Sequence, residues 1–299
     1  MTSDWREEHV RERIVHTASE DGFRLDGVLI RPAEPARPVA VVCVPGLYAA
    51  FYDPPYVELG RELAARGYAY LVGNDRGHDF GAVLRAPDGK PVPGGGGWER
   101  LEECPRDIAA WVGFMIDAGF RGVTLLGHSL GARKVAYYQA GRQDPRVVAL
   151  IAASPVARLL GPPDPEVTAL AERMVAEGRG RDLLPWPSIG CSMSAQTYLD
   201  HELPDAPFRH VFVAPDGPPP IARVRCPLLA FYGAEELVDG RDRTPELETV
   251  RRNAGAAGRV DTLLIEGAGH LYAGREGGVA AAIAAWLDGL FAGIQGRAS

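Results

Sequence analysis

Residues 123–134 read Val123-Thr124-Leu125-Leu126-Gly127-His128-Ser129-Leu130-Gly131-Ala132-Arg133-Lys134. A short apolar run of strand type (Val123–Leu126) stops at a glycine, passes through a serine, and resumes after a second glycine as a helical pattern (Leu130–Gln143). The pattern Gly127-x-Ser129-x-Gly131 in that context is a nucleophile elbow. Its serine has to sit in a strained strand-to-helix turn, where side chains at the flanking positions would clash, so glycine is required there. Such a turn exposes the serine Oγ at the carboxyl edge of a sheet and at the N-terminus of the following helix, which favours developing negative charge.

Working outward from the elbow, the remaining sequence alternates strands and helices. Arg13–Ser19 and Arg24–Ile30 form a hairpin across Glu20-Asp21-Gly22. The runs Val39–Val44, Tyr68–Val72, Val123–Leu126, Val148–Ala152, Leu228–Tyr232 and Arg259–Ile265 are nearly continuous in apolar residues, as in strands covered on both faces. Helical patterns follow at Tyr56–Arg66, Arg106–Ala118, Leu130–Gln143, Pro245–Asn253 and Glu276–Phe291. This alternation predicts a mostly parallel eight-stranded sheet with right-handed crossovers. Residues 1–299 are expected to form one domain. Residues 155–220 break the rhythm with Pro-rich turns and two helical stretches, Glu166–Glu177 and Ser192–His201. An insertion of that length beside the elbow predicts a lid.

A nucleophilic serine needs a base, normally histidine. Of the seven histidines, His9 and His16 precede the sheet core, His128 lies inside the elbow and should point away from Ser129, and His201 and His210 fall in the insertion. His78 follows the fourth strand at the correct edge and is a candidate substrate contact. His270 is best placed, in Glu266-Gly267-Ala268-Gly269-His270 just after the last strand. The acid that orients it should come from the loop after Leu228–Tyr232, where Glu235, Glu236 and Asp239 compete. Alternation aims Glu235 and Glu236 in different directions. One oxyanion donor should be the N–H of Leu130, the residue after the nucleophile.

The order Ser…acid…His, with the elbow in place, is similar to that of α/β-hydrolase fold serine hydrolases. The resemblance covers nearly the whole chain. Asn74–Asp79, Gly96–Arg100, Gly127–Lys134 and Gly269–Tyr272 resemble a bacterial and fungal group that includes esterases acting on fungal siderophores. In that superfamily the acid commonly sits three residues after a Gly at the strand end. The resemblance therefore implies Glu236, with Asp239 second, and a Glu where Asp is usual. Pro45-Gly46-Leu47 looks like the family's His-Gly-x segment with Pro for His, which implies Leu47 as the second oxyanion donor, with the Tyr48 N–H as the runner-up. Tyr48, His78 and Trp98 are candidate substrate contacts. Trp98 closes a Gly-rich loop, Pro93–Trp98, read as flexible and lacking the Lys-Ser/Thr of a phosphate loop.

The expected activity is cleavage of an ester, thioester or lactone of a small molecule, without cofactor or metal. Acyl transfer or cyclisation on the same machinery, and a non-catalytic ligand-binding protein of the same fold, are the alternatives. Composition sets the other bounds. The 299 residues carry 32 Lys+Arg and 39 Asp+Glu, a net charge of −7, which argues against a nucleic-acid partner. No apolar run approaches a membrane span. The charged N-terminus lacks the apolar stretch of a signal peptide, so a cytoplasmic protein is expected. A small-molecule substrate is the expected partner, with a homodimer allowed for. Cys43, Cys104, Cys191 and Cys226 have no metal-site or disulfide spacing.

Overall fold

The computed structural model describes residues 10–34, 36–158, 161–185, 192–203, 206, 208–236 and 242–292. Ten strands occur in chain order: β1 (Val10–Ala18), β2 (Arg24–Pro32), β3 (Val39–Val44), β4 (Tyr70–Gly73), β5 (Ala82–Arg85), β6 (Pro91–Gly94), β7 (Gly122–His128), β8 (Val147–Ala153), β9 (Leu228–Gly233) and β10 (Val260–Ile265). Eight of them form one sheet in the order β1-β2-β4-β3-β7-β8-β9-β10. Only the β1–β2 and β2–β4 pairings are antiparallel. The mixed eight-stranded sheet expected from the apolar runs is therefore present.

The helices are α1 (Pro54–Ala64), α2 (Cys104–Asp117), α3 (Leu130–Arg142), α4 (Pro165–Ala176), α5 (Ala195–Glu202), α6 (Thr244–Asn253) and α7 (Glu276–Phe291). Successive strand residues point to opposite faces, and both faces are covered. In β3, Ala40, Val42 and Val44 join a core with α2, α3 and α6, while Val41 and Cys43 join a second core with α1 and α7. Strand β9 divides the same way, Leu228, Ala230 and Tyr232 against Leu229 and Phe231. Double coverage is why these runs look uniformly apolar. Strand β10 departs from that reading. It is the sheet's edge, and only Ile265 at its end is buried.

Between β8 and β9 no core-type strand intervenes among the described residues. Helices α4 and α5 start on short polar caps: Asp164 accepts from the Glu166 and Val167 N–H groups, and Ser194 from that of Thr197. They close a separate small cluster that includes Val167, Met174, Met193 and Tyr198. Leu47, from the loop after β3, packs against both this cluster and the main core.

The Gly-rich loop read as flexible is instead partly ordered: β5 and β6 pair as an antiparallel ribbon, Ala82 opposite Gly94 and Arg85 opposite Pro91. Two prolines and exposed side chains such as Val83 hide it from pattern reading. No described helix is long and apolar enough to cross a membrane.

Candidate active site

Ser129 caps α3 with φ 55° and ψ −116°, a strained backbone for a residue with a side chain. The turn is fixed from several sides. A Cβ on Gly127 would stand 2.2 Å from the Gly131 carbonyl oxygen, and one on Gly131 would stand 2.1 Å from that of Val44. Only hydrogen fits at either position, so β7, α3 and the end of β3 can close on one another. The Ser129 N–H donates to the Ala153 carbonyl at the end of β8 (2.9 Å). Leu130 is the first residue of α3, so its N–H has no acceptor inside the helix. The loop after β3 lies against the serine: Ser129 Cβ is 3.2 Å from where a Gly46 Cβ would stand. The expected donors, the N–H groups of Leu47 and Leu130, thus flank Ser129 on neighbouring segments.

His270 and Glu236 meet. His270 Nδ1 is 2.7 Å from Glu236 Oε1, and the carboxylate is 5% exposed. Burial raises the carboxyl's proton affinity, but hydrogen bonds from His270 and Ser154 outweigh it and hold Glu236 below the ordinary range. Glu235 is exposed, and Asp239 lies outside the described residues. His270 and Ser129 are tied through their neighbours rather than directly. His128 Nε2 donates to the His270 carbonyl (2.8 Å), and Ser129 Oγ makes no hydrogen bond to the His270 ring among the described residues. Such bonds often tighten only with substrate bound.

Two chains of contacts support this pair, and sequence reading assigned neither. In the first, Ser154 at the end of β8 donates from Oγ to Glu236 Oε2 (2.7 Å). Its one proton is thereby used, so the Tyr272 hydroxyl, 2.6 Å away, must donate to it. Ser154 and Tyr272 both have positive φ (49° and 56°), so backbone strain is held where the acid is gripped. In the second chain, burial pushes His128 down to about 4, so its ring is neutral. The Nε2 proton faces a carbonyl, so Nδ1 must accept, and it accepts from Tyr56 Oη (2.8 Å). Tyr56 Oη in turn accepts the Gly46 N–H (3.1 Å). One neutral histidine therefore joins the loop after β3 to the loop after β10. It points away from Ser129, as the elbow geometry requires.

The remaining candidates are spread around this centre. Tyr48 donates from Oη to the Ser192 carbonyl (2.7 Å) and stacks edge-on against Phe80. Trp98 Nε1 donates to the Arg181 carbonyl (2.8 Å), and its ring lies against the same Phe80. Both side chains thus hold the inserted segment. His78 is paired with Asp79 (2.8 Å) in a polar groove with Tyr52, Arg24 and Asp26, away from the His270–Glu236 pair. Three segments singled out in the sequence converge below the elbow. Lys134 Nζ is buried 2.6 Å from both Asp75 and Glu99, and Arg76 is bound by Asp107, Asp21 and Glu103. No group of three His, Cys, Asp or Glu among the described residues is placed to hold a metal ion.

The fold is shared with solved structures at low identity. Est1E from Butyrivibrio proteoclasticus, solved with ferulic acid bound, is 18% identical with a TM-score of 0.60, over 91% of this chain and 98% of that one. The esterase Pf2001 from Pyrococcus furiosus is 15% identical with a TM-score of 0.58, over 93% and 92%. A hypothetical protein from Pseudomonas aeruginosa is 15% identical with a TM-score of 0.64, over 96% and 98%. No curated protein sequence matches the chain. The model of the Alpha/beta hydrolase family matches residues 41–282, from within the third strand into the first half of the last helix, and the chain belongs to that family.

Proposed function

We propose that the protein is a serine hydrolase that cleaves an ester, thioester or lactone of a small to medium-sized molecule through an acyl-enzyme. The observation that carries this reading is the 2.7 Å His270–Glu236 pair, formed between the loops after β10 and β9, in a chain that also carries the strained Ser129 elbow. Ser129 attacks the carbonyl. His270 takes its proton and returns it to the leaving group, and Glu236 fixes the imidazole tautomer and stabilises the imidazolium. The Leu47 and Leu130 N–H groups hold the oxyanion, and water then releases the acyl group. The similar folds of Est1E, solved with ferulic acid bound, and of Pf2001, named an esterase, support the same class.

Residues 155–220 act as a lid over this site. Supporting that role, Leu47 packs on the insertion's own apolar cluster, and Tyr48 and Trp98 hydrogen-bond to its backbone. Tyr48 and Trp98 then shape the substrate entrance from beneath.

A fluorophosphonate probe tests the proposal without knowledge of the substrate. The protein should label, and Ser129→Ala should abolish labelling while lowering turnover of p-nitrophenyl esters by on the order of a million-fold. An unreactive wild-type protein, or equal labelling of the Ala variant, would overturn the reading. A panel of p-nitrophenyl esters, thioesters and lactones then identifies the bond cleaved.

A further inference from the structure

Helix α3, capped by Ser129, carries a largely buried charge that has no partner among the described residues. Five cationic side chains are buried among the described residues: Arg76, Arg133, Lys134, Arg209 and Arg243. Four have carboxylates. Arg76 has three, Lys134 lies between two, Arg209 binds Glu202 at 2.8 Å, and Arg243 binds Glu246 at 2.7 Å. Arg133 is 8% exposed and makes neither a hydrogen bond nor an ion pair with the described residues. Burial pushes its guanidinium down to about 10. Glu202 opposes that shift, while Arg158 and Arg209 reinforce it. Glu202 is already committed to Arg209. A guanidinium nine-tenths enclosed without a carboxylate of its own leaves donors open to a group that enters from outside.

Its position fits a bound molecule. Arg133 stands four residues after Ser129, and long helical side chains lean back toward the helix N-terminus. That spacing puts Arg133 on the face of α3 that continues from Ser129. The groups in its field come from the inserted segment and from β9. Tyr232 is one of them, and its hydroxyl hydrogen-bonds to the Pro155 carbonyl and to Glu246. Pro155 adjoins Ser154, which grips Glu236. From the insertion comes His201, on the last turn of α5. It is buried, its Nε2 has no partner, and burial together with Arg133 and Lys134 pushes it down to about 3, so it is neutral. A cation and an imidazole nitrogen, both without a hydrogen-bond partner among the described residues, thus lie within each other's electrostatic reach, one on α3 and one on α5.

We infer that Arg133 is a specificity residue for a carboxylate carried by the substrate, with the His201 ring as its second polar contact. A single free guanidinium presents a planar fork with one positive charge, which matches a monoanionic carboxylate. A phosphate dianion would need a second uncommitted cation, and Arg209 is taken. The word substrate rests on the hydrolase reading above, whereas the anion site can be tested without it.

Two experiments decide the inference. In thermal melts, glutarate or adipate should stabilise the wild-type protein and should not stabilise Arg133→Met. The variant's own melting temperature should be equal or higher, because an unpaired buried charge is gone. A merely structural arginine would lower it. In kinetics, p-nitrophenyl esters of glutaric and adipic acid should be preferred to those of pentanoic and hexanoic acid. Arg133→Met should reduce that preference roughly tenfold to a hundredfold, mainly through KM. Arg133→Lys keeps the charge but loses the fork, and should retain part of the preference. The inference fails if wild type neither discriminates nor is stabilised by dicarboxylates, or if the variants behave as wild type. Stabilisation by inorganic phosphate in place of dicarboxylates would also overturn it. Failure of the fluorophosphonate probe to label would overturn the hydrolase reading, while the dicarboxylate melts would still decide the anion site.

Discussion

Three side-chain residues at the centre hold backbone angles that ordinary residues avoid: Ser129, Ser154 and Tyr272. Ser154 and Tyr272 exist in this form to hold one carboxylate. Glu236→Gln should keep the shape but leave the imidazolium unsupported, lowering turnover by up to about ten-thousand-fold. Ser154→Ala should cost less, on the order of tenfold, since it removes one hydrogen bond to a charged group. It should also move the acid limb of the kcat/KM profile to higher pH, because that bond helps hold the Glu236 carboxyl below its usual range. Steady-state kinetics from pH 4 to 9 would show both effects. Candidates for nucleophile, base and acid could be read from the sequence because glycines and strand ends mark their loops. Ser154, Tyr56 and the role of Tyr272 could not. A serine after a strand or a tyrosine early in a helix carries no signal until the chain has brought distant segments together.

Among the elements, the β7–α3 unit depends on backbone contacts closer than any side chain permits. Gly131→Ala would push a methyl group into the Val44 and Pro45 carbonyls, which are backbone atoms that cannot rotate away. Urea unfolding should show a loss above about 4 kcal/mol, or no folded protein, and probe labelling should vanish. Sequence patterns disclosed the doubly covered strands well, since β3 and β9 feed both cores and leave no polar alternation. They disclosed β10 less well, because an edge strand that is apolar in sequence looks the same as a central one. The β5–β6 ribbon escaped altogether, being short, exposed and rich in proline. The segment between β8 and β9 was legible as a break in rhythm. That its small core reaches Leu47 could be learned only from the fold.

For the whole molecule, burial of neutral histidines makes stability fall with acid. His128 and His201 are pushed down to about 4 and about 3, below their usual 6.5. Between those values the unfolded chain binds more protons than the folded one. This contribution is therefore complete above pH 6.5 and is lost as the pH falls toward 4. Glu99, pushed up to about 7 by burial, acts in the opposite sense between about 4.5 and 7 and offsets part of the loss. Replacing one histidine isolates its share. In His201→Gln, urea unfolding from pH 6 down to 4 should have a pH slope smaller by about 1.4 kcal/mol per unit.

The sheet order also has a consequence for biosynthesis. The elbow sits on β7 in the middle of the sheet, whereas Glu236 and His270 follow β9 and β10 at one edge. A ribosome releases the polypeptide from its N-terminus, so the strands holding the elbow can pair while the segment bearing the base is still in the exit tunnel. On the mechanism proposed above, the serine is then in place without its proton acceptor, so the half-made protein would not yet attack esters.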